Sequence, residues 1–439
     1  MQADETYRQF RDDIFFSPQL NRRFLREPVA ALGSLLISAY LLAMSNAAFA
    51  QTTDADPADT IDALLIDISE SIGYDSNIFR EPPSTGDALS ATDNDDSRHD
   101  ILNSATLGVI GQLHQSRQRF TVSAAITDNR YTESDYLNNT GGDASANWQF
   151  TLGDALNGHL RADYLRRLTD FGYATSREKD VLTQQDYTLG LEYRIAARWF
   201  VDATADLRQT DHSNGDVMSD DSKTHALEAG IRYSTPLDNA VSLTYRTSDT
   251  QFAQTGGASG SVAKNNDYED RQLALRTTYA LTHKTDVEAL LGEKLRRYDR
   301  DANGDFSGAT GHIRLNWRPT TQVRLALGGW RELQARLEQY SQYFISRGGS
   351  LDTTWIPTHA VEIGMRLRTS REDYQSHGIL TPEDTARSDR VSTESVHLTY
   401  YPTDALRILL TIAREQRNSN RDDFDYRDNI ASIALRYRI

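Results

Sequence analysis

Cysteine is absent from all 439 residues, which removes disulfides, thiolate metal sites and thiol catalysis together. The absence suits a chain exported through an oxidising compartment, where no thiol can then mispair. Basic residues are scarce beside acids. There are 47 Lys and Arg against 63 Asp and Glu, a formal net charge of −16 that argues against nucleic acid as a partner. After residue 50 no run of about 20 apolar residues occurs, so no helix there is long and apolar enough to span a membrane. A mean hydropathy of −0.60 is compatible with a β-barrel in a membrane, because only every second residue then meets lipid. No HExxH pair, G-x-S-x-G elbow or phosphate loop is present, and the ten histidines are scattered singly.

The first 50 residues stand apart. Residues 29–50 form an apolar stretch preceded by Arg22, Arg23 and Arg26 and ending in Ala48-Phe49-Ala50, a small-x-small cleavage site. Residues 1–50 therefore read as a secretory signal, with an ordinary charged flank favoured over a twin-arginine signal. Their five acids and five arginines cancel, so the remainder keeps the whole net charge. Residues 51–60 are polar and read as a periplasmic lead-in.

From residue 61 to 439 apolar and polar residues alternate in about eighteen segments, with sixteen as the alternative count. Short links at Gln115–Gln118, Gly153–Gly158, Ala196–Arg198, Pro236–Asn239, Thr282–Lys284, Pro319–Thr321, Pro357–Thr358 and Pro402–Thr403 take turns with longer polar stretches. The long stretches are 80–100, 134–143, 171–182, 210–223, 249–267, 298–306, 333–342, 372–390 and 417–426. Sorting loops by length at alternate ends predicts an all-β, antiparallel transmembrane barrel with short periplasmic turns, long extracellular loops and both termini periplasmic. Pro236, Pro319, Pro357 and Pro402 follow strand ends, where a residue without an N–H stops the ladder and pre-sets the turn. The last segment ends at Ile439, with Tyr437 its nearest aromatic, in the place where the barrel assembly machinery reads a C-terminal strand.

Parity assigns the faces. Leu189, Leu191 and Tyr193 alternate with Thr188, Gly190, Glu192 and Arg194, and the same holds on strand after strand. An arginine facing lipid at the midplane costs about 2–4 kcal/mol, so the charged face must look into a wet lumen. That face carries Arg161, Asp163, Glu192, Arg194, Asp202, Asp206, Arg208, Glu228, Arg232, Arg246, Arg276, Arg314, Glu362, Arg366 and Arg368. These form either bracing ladders of opposite charge or a track on which a hydrated chain slides. A soluble sheet would alternate too, but seven aromatics close the apolar face before short turns or the chain end: Tyr193, Tyr233, Tyr279, Trp317, Trp355, Tyr400 and Tyr437. Such a rim is the girdle of a membrane interface.

Other chemistry is thin. Asp299, Asp301, Asn303 and Asp305 copy half of a calcium loop, but its twelfth position is Thr310, so a solvated hairpin tip is the preferred reading and no cofactor or metal is expected. Lone histidines such as His312 and His397 read as wet lumen residues, and no enzyme is expected.

Three segments carry a family likeness. Gly73-Tyr74-Asp75-Ser76-Asn77-Ile78-Phe79-Arg80 resembles the opening motif of the EpsL-type exopolysaccharide-operon proteins, a family of outer-membrane β-barrel porins. Ser116-Arg117-Gln118-Arg119-Phe120 with Asn129-Arg130-Tyr131, and then Leu168-Thr169-Asp170-Phe171-Gly172-Tyr173, are similar to further segments of that family in the same order. The resemblance implies a porin of the Gram-negative outer membrane that passes a secreted exopolysaccharide outward, beside synthesis and export proteins of the envelope and among lipopolysaccharide. A general or oligosaccharide-specific uptake porin, and a surface adhesive or structural barrel, remain the alternatives.

Overall fold

A computed structural model describes residues 61–83, 98–173, 177–214, 221–237, 239–253, 267–299, 304–338, 341–376 and 386–439. The signal segment 1–50, the lead-in 51–60, and Asp301 and Asn303 of the calcium-like stretch lie outside the described residues.

Eighteen antiparallel strands close into one barrel. In chain order they are β1 (Ile61–Asp75), β2 (Asp100–Gln115), β3 (Gln118–Tyr131), β4 (Asn139–Leu152), β5 (Leu156–Leu168), β6 (Val181–Ala196), β7 (Trp199–His212), β8 (Ser222–Ser234) and β9 (Ala240–Phe252). They continue as β10 (Tyr268–Thr282), β11 (Thr285–Tyr298), β12 (Phe306–Trp317), β13 (Val323–Glu338), β14 (Ser341–Thr358), β15 (Val361–Ser376), β16 (Ser388–Tyr400), β17 (Leu406–Ser419) and β18 (Tyr426–Arg438). Each strand pairs with its neighbours in sequence, and β1 also pairs with β18, so the sheet has no free edge. All eight short links fall between an even strand and the next odd one, at one end of the barrel.

The wall is thin, and its apolar side faces out. Leu189, Leu191 and Tyr193 on β6, Leu227 and Ile231 on β8, and Ile433, Leu435 and Tyr437 on β18 are all exposed, and large exposed apolar residues of the same parity recur around the belt. Six of the seven aromatics at the turn end are 46–52 % exposed; the seventh, Tyr233, leans on Trp199 with ring centroids 5.1 Å apart. Trp199, Trp148 and Phe120 add rings to that rim from the strands between. A closed barrel with an apolar belt, a wet interior and an aromatic rim is an outer-membrane protein of a Gram-negative bacterium, because only lipid can cover such a belt.

Where large rings lie flat on the wall, the neighbouring strand supplies glycine. A Cβ on Gly190 would sit 2.1 Å from the His159 ring, and one on Gly364 would sit 2.0 Å from the His397 ring. Cross-strand glycine thus makes room for inward imidazoles.

The closing seam is pinned by charge. Asp67 on β1 accepts from Arg436 at 2.8 Å and Arg438 at 2.9 Å on β18, while Ile66 and Ile439 exchange main-chain bonds at 2.8 and 2.9 Å.

Parts of the stretches read as long loops are strand instead. Residues 333–342 are not a long loop: β13 runs to Glu338, β14 begins at Ser341, and those two residues pair. Their polarity misled because this hairpin stands above the apolar belt, where alternation no longer means lipid against water. Residues 139–143 likewise belong to β4, paired with Asp143↔Ala125 through Asn139↔Asn129 on β3.

Candidate functional site: a charged lumen under a two-sided mouth

The lumen is lined by the alternate residues of every strand. Arg232 on β8 pairs with Glu192 on β6 and lies 3.6 Å from Asp202 on β7. Arg246 on β9 reaches Asp206 at 2.7 Å and Glu228 at 3.7 Å, and Arg276 on β10 meets Glu228 at 3.2 Å. These contacts make a chain of alternating charge across β6–β10. Around the wall, Arg366 and Arg314 share Asp352 at 2.6 and 3.5 Å. Arg161 clasps Asp163 on its own strand at 2.6 Å, and Arg208 reaches Asp186 at 2.5 Å. Arg194 lies 5.8 Å from the Phe200 ring and Arg368 packs over Trp330 at 4.1 Å. Glu362 has no ion-pair partner among the described residues. Among the fifteen residues singled out from parity, most of the mutual contacts fall in β6–β10. Near the turns this wall bounds a cavity of about 710 Å³, lined by Arg119, His159, Glu192, Asp202, Arg232 and Arg276 among others.

These ladders are half-wet. Side chains of Arg232, Arg246 and Arg276 are 26, 35 and 49 % exposed. Each pair therefore contributes little to stability, about 1 kcal/mol or less after solvent screening. Their larger effect is on the field that a passing solute feels.

The wide-loop end holds packed residues of its own among those described. Two groups of residues fold into it from different sides. The first uses the segment after β1. Arg80, with a left-handed φ of 56°, turns back so that its guanidinium meets Asp75 at 3.0 Å, Asp428 at 3.1 Å and Glu415 at 3.7 Å, all on lumen faces. Asn77 is buried and fixes the turn: its N–H donates to Asp428 at 3.0 Å, and its side chain donates to the Glu81 carbonyl at 2.8 Å. Ile78 and Phe79 then join Leu137 and Phe171 in an apolar cluster, with Tyr131 and Leu168 at its margin. Phe79 and Phe171 meet edge to face at 5.1 Å. Arg177 grips both oxygens of Glu81 at 2.5 and 2.6 Å, and Arg417 on β17 donates to the Gly172 carbonyl. Parts of the three family-like segments, residues 77–80, Tyr131 and 168–172, thus meet in one knot at this end, while Ser116–Phe120 lies at the β2–β3 turn at the other end.

The second group is the upper β13–β14 hairpin. The β12–β13 ladder stops at Gly311↔Arg331, while β11–β12 continues to Arg296↔Phe306. Gly311 marks the parting, since a Cβ there would come 2.1 Å from the Leu290 carbonyl. Beyond it, Leu333 and Tyr343, which have lipid-side parity, pack against Tyr268, Tyr298 and Phe306, which have lumen-side parity. Tyr343 stacks on Tyr298 at 6.3 Å and meets Phe306 edge-on at 6.0 Å. Outer face against inner face means the hairpin has slipped inside the wall. Arg331 bridges the gap by donating to the Ala309 carbonyl.

Sequence reasoning missed both groups. Arg80 and Phe79 stood inside the family-like opening segment without a role, and the rings of the second group received no reading at all. The signal present was an aromatic on the charged parity at Tyr268, Tyr298 and Phe306. For the calcium-like stretch, Asp305 accepts from the Tyr298 N–H at 3.0 Å, and no cluster of metal-ligating side chains occurs among the described residues.

Comparison with known proteins agrees in kind. The family described as "Putative beta-barrel porin 2" matches residues 277–439, from late β10 to the C-terminus. No curated protein matches the sequence. Among solved structures, a BenF-like porin from Pseudomonas fluorescens Pf-5 is similar over 86 % of this chain and 100 % of its own, at 9 % identity and a TM-score of 0.48. OpdK of Pseudomonas aeruginosa, solved with vanillate, is similar over 86 % of this chain and 99 % of its own, at 9 % identity and TM-score 0.47. OccK2 (OpdF) of the same organism, solved with glucuronate, covers 87 % and 99 %, at 11 % identity and TM-score 0.46. Over its C-terminal 163 residues, then, this outer-membrane barrel is similar to a porin family.

Proposed function

We propose that the barrel is a passive channel for small, hydrated, charge-bearing solutes of oligosaccharide size. One observation carries this reading: guanidinium and carboxylate groups alternate in a half-wet chain across β6–β10, while packed, hydrogen-bonded segments reach into the mouth from two sides. Weak charge contacts repeated along a wall let a solute bind and leave, and no energy source is needed. Purified protein in planar bilayers tests it. Open-channel current, interrupted in a concentration-dependent way by an anionic monosaccharide or short oligosaccharide, supports the proposal; absence of conductance overturns it in favour of a surface-adhesive barrel.

The second reading is exit of a secreted exopolysaccharide, favoured by the segments that resemble the EpsL-type proteins, parts of which build the mouth knot. Deleting the gene and locating the polymer separates the two. Polymer trapped in the periplasm, released by a plasmid copy, supports export; unchanged secretion leaves the small-solute channel.

A further inference from the structure

Above its apolar belt the outer face changes character, and unevenly around the barrel. The parity that carries Trp355, Ile363, Tyr400 and Tyr437 near the turns carries Arg347, Arg371, Arg390 and Arg427 further up the same four strands. These arginines stand eight residues beyond Trp355 and Ile363, and ten beyond Tyr400 and Tyr437. At about 3.3 Å per residue and a tilt of about 40°, that is about 20–25 Å above the rim, the height of an outer-membrane apolar band. The guanidiniums lie at the outer headgroups.

Their register is unusual. Arg347 stands opposite Arg371 and Arg371 opposite Arg390, one row of three cations across β14–β16, while Arg331, opposite Arg347 on β13, turns toward β12 with its guanidinium 5.9 Å from the Phe306 ring. Like charges directly opposite one another repel. Beside the row one carboxylate, Asp373, is shared between Arg347 and Arg371, the latter at 2.9 Å, and Glu394 on the same face stands four residues below Arg390, toward the belt. Arg347 and Arg371 remain more than half exposed, at 57 and 60 %. Arg331 spends its donors on a neutral carbonyl, and Arg390 is exposed with no protein acceptor among the described residues. Across the barrel, the same face of β8–β11 interleaves Lys223, Arg271 and Arg297 with Asp249, Glu269 and Glu293, and Arg271 is paired with Glu269 at 2.7 Å. The cationic excess belongs to one arc.

We propose that this arc binds the phosphate groups of lipopolysaccharide in the outer leaflet. Strands about 5 Å apart place neighbouring guanidiniums so that one phosphate can accept from two of them, and guanidinium matches phosphate bidentately. The site needs only the outer-membrane placement and is independent of what the lumen conducts.

The test is lipid binding by the full barrel, purified in phosphate-free detergent and read by native mass spectrometry. The probes are lipid A bearing two phosphates, the same lipid dephosphorylated, and inorganic phosphate. Wild type is expected to bind phosphorylated lipid A at least about tenfold more tightly than Arg347→Gln/Arg371→Gln/Arg390→Gln, while Lys223→Gln/Arg271→Gln/Arg297→Gln stays at wild-type affinity. Dephosphorylated lipid should bind at the level of the triple variant, and inorganic phosphate should not compete. Equal affinity of wild type and triple variant overturns the proposal. So does equal binding of the dephosphorylated lipid, or competition by inorganic phosphate at matched concentration. If the triple variant does not fold, Arg371→Gln alone is expected to bind about threefold more weakly, and wild-type affinity there overturns it as well.

Discussion

Two segments reach into the same mouth, yet they are held there by different physics. The knot after β1 is fixed by one guanidinium among three carboxylates and by charged clamps onto Glu81. The β13–β14 hairpin is fixed by rings: Tyr343 and Leu333 lie on Tyr268, Tyr298 and Phe306. Charge clasps are directional, costly to break on one side and sensitive to protonation. Ring packing is less directional, insensitive to pH and graded with area. A mouth built from both can lose one constraint without losing the other.

Removing Arg80 should separate them most sharply. Arg80→Ala leaves Asp75, Asp428 and Glu415 facing one another, a loss of about 3 kcal/mol, the lower end for a broken buried pair because the mouth is wet. The expected result is a lower urea midpoint and a single-channel conductance raised about twofold; an unchanged conductance would show that the knot does not narrow the path. Next in size, Tyr343→Ala should cost about 3 kcal/mol or somewhat less and free the hairpin, raising conductance at every pH and salt concentration. If the two substitutions together give no more conductance than either alone, the two sides act as one gate and the comparison fails.

Acid offers a milder way to break the comparison. Asp180 lies in the loop before β6. Its burial raises its pKa, but hydrogen bonds from His212, Thr169 and the Asn214 N–H outweigh this and bring it down to about 2. A carboxylate depressed in the folded state contributes stability above its ordinary value of 3.8, and that contribution is lost as pH falls through about 2. Hydrogen exchange in 169–180 should therefore rise between pH 4 and pH 2, while exchange at the β13–β14 hairpin stays flat over this window. Parallel loosening of both would contradict the assignment of different forces.

The smallest effect is expected in the lumen. Arg232→Gln leaves Glu192 and Asp202 without their guanidinium, shifting reversal potentials toward cations with no more than about 1 kcal/mol of stability lost. A change in anion preference of the same size from Arg80→Ala would move the selective element from the lumen to the mouth.

The barrel could be read from the sequence because it rests on a local rule. Leu189, Leu191 and Tyr193 alternate with Glu192 and Arg194 whether or not the neighbouring strands are known, and Pro319 or Pro402 mark turns wherever they stand. The mouth obeys no such rule. Arg80 finds Asp428 about 350 positions away, and Tyr343 meets Tyr298 only because β13 leaves β12 at Gly311. Alternation in 333–338 continues, but the two faces no longer separate lipid from water, so polar content there was mistaken for a loop. Which carboxylate each arginine holds depends on register, and register is a property of strand pairs.

The seam between β1 and β18 has a consequence for assembly. Asp67 must wait for Arg436 and Arg438, 369 and 371 positions further along, so closure is also an inspection of the register between the two strands. A slip of one residue would turn both arginines toward hydrocarbon, at about 2–4 kcal/mol each near the midplane and less toward the rim, and leave the carboxylate stranded. Misregistered ends therefore reject one another, and the barrel proofreads its own closing step.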